Sequence, residues 1–298
     1  MTYQKAFDSS EYKARLFKVK QLMNEKGFDM LICQDPANMC WLTGFDGWSF
    51  YTPQAVLVLL SEECPIWFGR KQDAKSATIT TDIPESNIIP FSEPLVHHET
   101  LHPFDELCDY IKLKKWERTR IGVDFDAHYF TARAHKHLYT GLPNAKISDN
   151  KELVNWARLI KSPAELKYMR EAGVICTNTM LQALDKIAPG VRQYEIIADI
   201  YKNQINGVDG KYGDYTGLCP LIQVGESTST PHLTWSDEPL PKEGLVVLEI
   251  GAARRHYHAP LTRTAYIGNI PKEVTKLSSA IIEAGNRAFE VAKPGTTC

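Results

Sequence analysis

Between Gly244 and Gly268 the sequence runs GLVVLEIGAARRHYHAPLTRTAYIG. Its β-branched and aromatic residues, punctuated by glycine, predict strands over Gly244–Gly251 and Thr264–Ile267 and a further strand carrying Tyr257. Upstream, Asp214–Gly217 and Leu221–Gly225 have the same strand-rich texture. Before them come two helical patterns. The long one, Ala164–Ile187, starts at Ser162-Pro163 with Glu165 in its first turn and stops at Ala188-Pro-Gly190; a shorter one spans Gln193–Asn203. Downstream, Pro271–Ala292 reads as a helix followed by Lys293-Pro-Gly295. The match between Ala183-Leu-Asp-Lys-Ile-Ala-Pro-Gly190 and Ala288-Phe-Glu-Val-Ala-Lys-Pro-Gly295 points to an internal repeat of helix, Pro-Gly and next helix. The chain stops at Cys298, where the next helix of the second copy would start, so the expectation is a C-terminal domain cut short.

The first half alternates differently. Glu11–Lys26 spaces Tyr12, Leu16, Val19, Leu22 and Met23 by three and four residues and ends at Gly27, which predicts an amphipathic helix. Met30–Cys33, Ala55–Leu60, Ile66–Phe68, Arg120–Val123 and Lys146–Ser148 read as short strands. Helical patterns cover Phe104–Lys114, Phe130–Tyr139 and Asn150–Leu159. The whole is an α/β (α+β) chain of two domains, 1–157 and 158–298, with Lys161-Ser-Pro163 just past the junction.

Composition narrows the function classes. With 43% apolar and 23% charged residues, the 298-residue chain can bury a substantial core. A formal charge of -2 leaves no excess for a phosphate backbone, and the basic block Lys112–Arg120 is interrupted by Trp116 and Glu117, so no nucleic-acid partner is expected. No apolar run is long enough to span a membrane and Met1–Asp8 is no secretory signal, so the expected address is cytoplasmic. Seven scattered cysteines without a CxxC pair read as reduced thiols rather than a metal site.

Three groups of residues now line up with one family. Arg15-Leu, Met23, Gly27-Phe-Asp-Met-Leu-Ile32, Pro36-Ala-Asn-Met39 and Trp41-Leu-Thr-Gly-Phe45 resemble the opening of the creatinase-type N-domain. Arg158-Leu-Ile-Lys-Ser-Pro-Ala-Glu165 with Met169-Arg170 and Ala172 resembles its domain junction. Pro231-His232, Leu240, Val247-Leu-Glu-Ile-Gly251, Tyr257 and Leu261-Thr-Arg-Thr264 resemble the central hairpin of the pita-bread hydrolases: creatinase, prolidase and methionine aminopeptidase. The resemblance implies a creatinase-type N-domain, a pita-bread catalytic domain and a homodimer. It also implies a site normally holding two metal ions through two Asp, one His and two Glu. Here Glu249 stands at the first Asp position and Pro260, which has no donor atom, at the second. The remaining ligands would lie beyond Cys298. A missing ligand and a lengthened one argue against the dinuclear bridge, so the expectation is no metal and no cofactor.

Within the family, Asp46-Gly-Trp-Ser-Phe-Tyr51, Trp67-Phe-Gly-Arg-Lys-Gln-Asp-Ala74 and Tyr257–Arg263 are most similar to the branch that opens the cyclic amidine of ectoine. That reaction needs a group to attack the amidine carbon, a proton for the departing nitrogen, and countercharges. Glu249 is the candidate nucleophile or base, its alternative role being an ion pair with Arg263. His232 is the candidate proton shuttle, the alternative being a structural histidine. His256 and His258 should share the face opposite Tyr257, and His258 is a candidate substrate contact. Trp48, Phe50 and Tyr51 could box a flat cation, Trp41 reads as core, and Arg70 and Arg263 could grip the substrate carboxylate. A linear guanidine such as creatine, a metal-dependent Xaa-Pro peptidase and a non-catalytic peptide-binding domain remain the rival readings.

Overall fold

The computed structural model describes residues 3–297 and divides the chain into two compact units, Met1–Lys161 and Ser162–Cys298. Met1 and Thr2 of the N-terminal reading and the thiol of Cys298 lie outside the described residues. Among the described residues Cys33, Cys108 and Cys176 are buried, Cys40, Cys64 and Cys219 are half-buried, and Cys33, Cys64, Cys108, Cys176 and Cys219 are free thiols. No described helix is long and apolar enough to cross a membrane.

The first unit contains α1 (Ser9–Lys26), β1 (Met30–Cys33), α2 (Pro36–Thr43), β2 (Ala55–Leu59), β3 (Ile66–Arg70), α3 (Ala74–Thr80) and β4 (Ile88–Phe91). It continues with α4 (Pro103–Leu113), β5 (Arg120–Val123), α5 (Ala132–Gly141), β6 (Lys146–Asp149) and α6 (Leu153–Ala157). The strands form one mixed six-stranded sheet in the order β4-β3-β2-β1-β5-β6. β1 is central and buried along its whole length, because Leu31 and Cys33 enter the core on one face and Met30 and Ile32 the core on the other. That is why it reads as an unbroken apolar run rather than an alternating one. Gly27 ends α1 with φ +75°, a left-handed conformation that glycine adopts without strain.

Three elements of this unit were not foreseen. α2 is capped by the Asp35 side chain, which accepts from the Asn38 amide at 2.9 Å, and buries Met39, Trp41 and Leu42. α3 (AKSATIT) is rich in β-branched residues that disfavour helix, yet Ala77 packs into the core. β4 contains Pro90, which an edge strand tolerates. At the start of α4 the His102 imidazole accepts from the Phe104 amide at 3.1 Å, while the His102 amide donates to Asp105 at 2.9 Å. Burial, aided by His137 and Arg133, pushes the His102 imidazole down to about 4.

The second unit comprises α7 (Pro163–Asp185), α8 (Gln193–Asn206), β7 (Leu221–Val224), β8 (Gly244–Arg254), β9 (Tyr257–Ile267) and α9 (Lys272–Val291). Ser162 caps α7 by accepting from the Glu165 amide at 3.2 Å, and Glu165 accepts in return from the Ser162 amide at 2.7 Å. The antiparallel sheet runs β7-β8-β9. Val246, Leu248, Ile250 and Ala252 of β8 pack with Ile175, Cys176 and Met180 of α7 and Ile196, Ile197 and Ile200 of α8 in one core. Strands β8 and β9 are longer than expected and meet at a two-residue turn, Arg255-His256, with φ +51° and +63°. His256 is therefore a turn residue and does not share a strand face with His258. Asp214–Gly217 is not a strand either: its ladder contact is a single bridge between Asp214 and Ala253.

Candidate active site

The register of β7, β8 and β9 places every side chain of the central hairpin on one of two faces. Side chains alternate along a strand, and residues paired across strands share a face. Leu248 and Ile250 belong to the helix-covered core, so Glu249 points to the opposite, open face. Its cross-strand partners are Leu221 on β7 and Thr262 on β9. The same face carries Val247 with Thr264 and Gln223, Gly251 with Pro260, and Ala253 with His258. Glu249 is half-buried, and among the described residues its carboxylate has no hydrogen-bond or ion-pair partner.

Arg263 pairs with Leu248 and so lies on the helix-covered side, where its Nη1 donates to the Thr262 carbonyl at 2.7 Å. The alternative role of Glu249, an ion pair with Arg263, is not formed among the described residues, because the two side chains lie on opposite faces. Arg263 as a grip on a substrate beside Glu249 is corrected for the same reason. Tyr257 also faces the helices and donates to Glu165 at 2.8 Å.

His258 shares the face of Glu249 but lies four residues along from Thr262, about 13 Å at the usual strand rise. Its Nδ1 bonds the His256 carbonyl at 2.9 Å and its Nε2 accepts from the Gly217 amide at 3.0 Å. An acceptor at Nε2 and a donor at Nδ1 define the neutral Nδ1–H tautomer. Desolvation lowers the imidazole below its ordinary value, in the same direction. His232 is exposed in the loop between β7 and β8. That loop is fastened beside the site by Gln223, whose Nε2 donates to the Leu233 carbonyl at 2.7 Å from the Glu249 face of β7.

The candidates in the first unit form a separate group. Trp48 and Tyr51 are exposed on the loop before β2, with ring centroids 6.1 Å apart. Phe50 lies 5.0 Å from Trp48 and 5.6 Å from Tyr129, an aromatic neighbour that sequence reasoning missed. Trp41 is buried, as expected, with the Arg15 guanidinium 5.1 Å from its ring. Arg70 is engaged by Glu93, its Nε and Nη2 each 3.0 Å from Oε2.

A further residue that the sequence left unremarked is Gln204. The Asp214 amide donates to the Ala253 carbonyl at 2.9 Å, so the carbonyls of Ala253 and, two residues away, Gly251 face the β7 edge of β8. β7 begins only at Leu221, opposite Glu249, and Gly251 has no strand partner on that side. The Nε2 of Gln204, 2% exposed, supplies the missing donor to the Gly251 carbonyl at 2.8 Å. A signal was present: Gln204 follows Ile200 by four residues on the apolar face of α8.

The open face does not fit the two-metal cage that the resemblance implies. Its only carboxylate on β8 and β9 is Glu249, and the residue that should complete the bridge, Pro260, offers no side-chain donor. Among the described residues no group of three or more His, Cys, Asp or Glu could hold a metal ion. What the face offers is one unpaired carboxylate set among Thr262, Thr264 and small apolar residues, an arrangement that attracts a compact cation and places an oxygen base beside it.

A mixed α/β unit followed by helices backed on an antiparallel hairpin with one acid at its centre defines a two-domain hydrolase of the creatinase and pita-bread type. Residues 15–160 match the Creatinase/Prolidase N-terminal domain and residues 167–298 match Metallopeptidase family M24. The chain belongs to this family. It is 40% identical over 295 residues to the ectoine hydrolase of Halomonas elongata, covering 97% of this chain and 74% of that protein. It is 39% identical over 292 residues to an uncharacterized hydrolase/peptidase of Sinorhizobium fredii, with 98% and 74% covered. Among solved structures, the prolidase from Pyrococcus horikoshii OT3 superimposes with a TM-score of 0.77 at 20% identity, over 95% of this chain and 74% of that one. A match at that identity concerns the fold alone.

Proposed function

We propose that the protein hydrolyses the cyclic amidine of ectoine to N-acetyl-2,4-diaminobutyrate without a metal ion, as a cytoplasmic homodimer, with Glu249 as the nucleophile or base. The observation that carries the reading is the unpaired carboxylate of Glu249 on a face where Pro260 replaces the second acid. The 40% identity to an ectoine hydrolase supports the substrate.

Two routes balance. In one, the Glu249 carboxylate adds to the amidinium carbon, a proton moves to the departing ring nitrogen as the C–N bond breaks, and water then cleaves the resulting ester-like intermediate. In the other, Glu249 takes a proton from water as the water oxygen attacks the same carbon, and that proton passes to the leaving nitrogen. His232, on the tethered loop, is the proposed carrier of that proton. Trp48, Phe50 and Tyr51 are proposed to contact the cationic ring, and Arg70, if released from Glu93, the carboxylate.

The test is an NMR assay of product formation from ectoine, hydroxyectoine and creatine in the presence of EDTA. Turnover of ectoine that survives EDTA and falls by at least about 10³-fold in Glu249→Gln, the order expected when a nucleophile or general base is removed, supports the proposal. Activity that requires a tightly bound metal, or ectoine turnover unaffected by Glu249→Gln, overturns it.

A further inference from the structure

The segment between α8 and β7 makes an arch over the open face. Asp214 bridges to Ala253 and Leu221 pairs with Glu249, so seven residues of loop accompany four residues of β8. The surplus cannot lie flat in the ladder and must bow outward. Both ends of the arch are tied down: the Asp214 carboxylate accepts from the His256 amide at 3.1 Å, and β7 continues the sheet beyond Leu221. Its crest is held by a side chain, the Gly217 amide donating to Nε2 of His258 at 3.0 Å. His258 stands on the same face as Glu249, and its other nitrogen is locked by the His256 carbonyl at 2.9 Å. Near the crest, Thr216 donates to the Leu218 carbonyl at 2.6 Å, which tightens the loop around Gly217.

We infer that His258 is a positioning residue: it clasps the arch 214–220 so that the arch forms the wall of the Glu249 site along β8, and it acts on substrate binding through that wall rather than by touching the reacting carbon. The imidazole stands about 13 Å along the strand from the Glu249 row, and both its nitrogens are engaged by backbone groups, the His256 carbonyl and the Gly217 amide, rather than turned to a substrate at Glu249. The inference deepens the proposed function and rests on it only for its kinetic part.

Two variants separate the possibilities. In His258→Leu the acceptor for Gly217 is gone; in His258→Gln an amide oxygen can take the place of Nε2. Amide exchange read by mass spectrometry over residues 214–220 should quicken by about tenfold in His258→Leu and by less than about threefold in His258→Gln, with β8 amides unchanged in both. Under the proposed activity, KM for ectoine should rise at least about fivefold in His258→Leu with kcat within about threefold, and His258→Gln should recover most of the loss. Exchange in His258→Leu matching the parent protein overturns the clasp. A fall in kcat at constant KM overturns the positioning role and assigns His258 to the chemistry. If ectoine is not a substrate, the exchange experiment still decides on the clasp.

Discussion

Gln204→Leu tests whether a side chain stands in for the strand that β8 lacks beyond Glu249. The substitution removes the 2.8 Å bond to the Gly251 carbonyl, and both residues are buried, so the acceptor is left without a donor. An unsatisfied buried carbonyl costs about 1–3 kcal/mol, and the similar helix propensities of Leu and Gln return almost nothing. A net loss of about 1.4 kcal/mol corresponds to roughly tenfold faster exchange of the most protected amides. The assay is hydrogen exchange at β8, with β1 in the other unit as an internal reference. Expected are slow β8 amides exchanging about tenfold faster and β1 amides unchanged. Gln204→Glu should be worse than Leu, because a carboxylate facing a carbonyl adds repulsion to the lost donor. If Gln204→Leu changes β8 exchange by less than about twofold, or Gln204→Glu protects as well as the parent, the donor argument is refuted.

Acid should weaken the first unit through His102. Its imidazole lies at about 4 in the folded state against an ordinary value near 6.5, so the unfolded chain binds the extra proton between those limits. The stability it contributes is complete above about pH 6.5 and is lost as pH falls toward 4, with a slope of at most about 1.4 kcal/mol per pH unit. Urea titrations at pH 7, 5.5 and 4.5 should show this fall, and His102→Asn, which keeps a cap without a titrating ring, should flatten it. Arg263→Ala should leave catalytic efficiency within about twofold, since the guanidinium is on the far side of the hairpin from Glu249; a loss above about thirtyfold in kcat/KM, read with the same NMR assay, refutes the face assignment.

Much of the fold was legible because its signals are local. Met30–Cys33 and Arg120–Val123 are predicted and observed with the same limits, since each is a short apolar or β-rich run bounded by polar or turn residues. α7 starts where Ser162, Pro163 and Glu165 say it should. α3 and β4 escaped because tertiary burial overrode weak or contrary propensity. In the site, Glu249 and the gap at Pro260 could be read from spacing within one hairpin, whereas the place of Arg263 depends on strand parity counted from the core. The two-residue turn settles that parity: it puts His256 outside the strand and His258 on the Glu249 face. Gln223 and Gly217 make their contacts through loops whose course no periodicity encodes, whereas Gln204 carried a helical-spacing signal on α8.

The same alternation that orients the side chains also orients the backbone. Ala259 and Leu261 turn their polar groups inward to β8, so residue 260 turns its own outward along the margin of β9 that has no strand partner among the described residues. A proline there has no hydrogen to offer. A strand lining up along that margin would find a break in the row of donors beside Glu249, a deterrent to strand addition at that point.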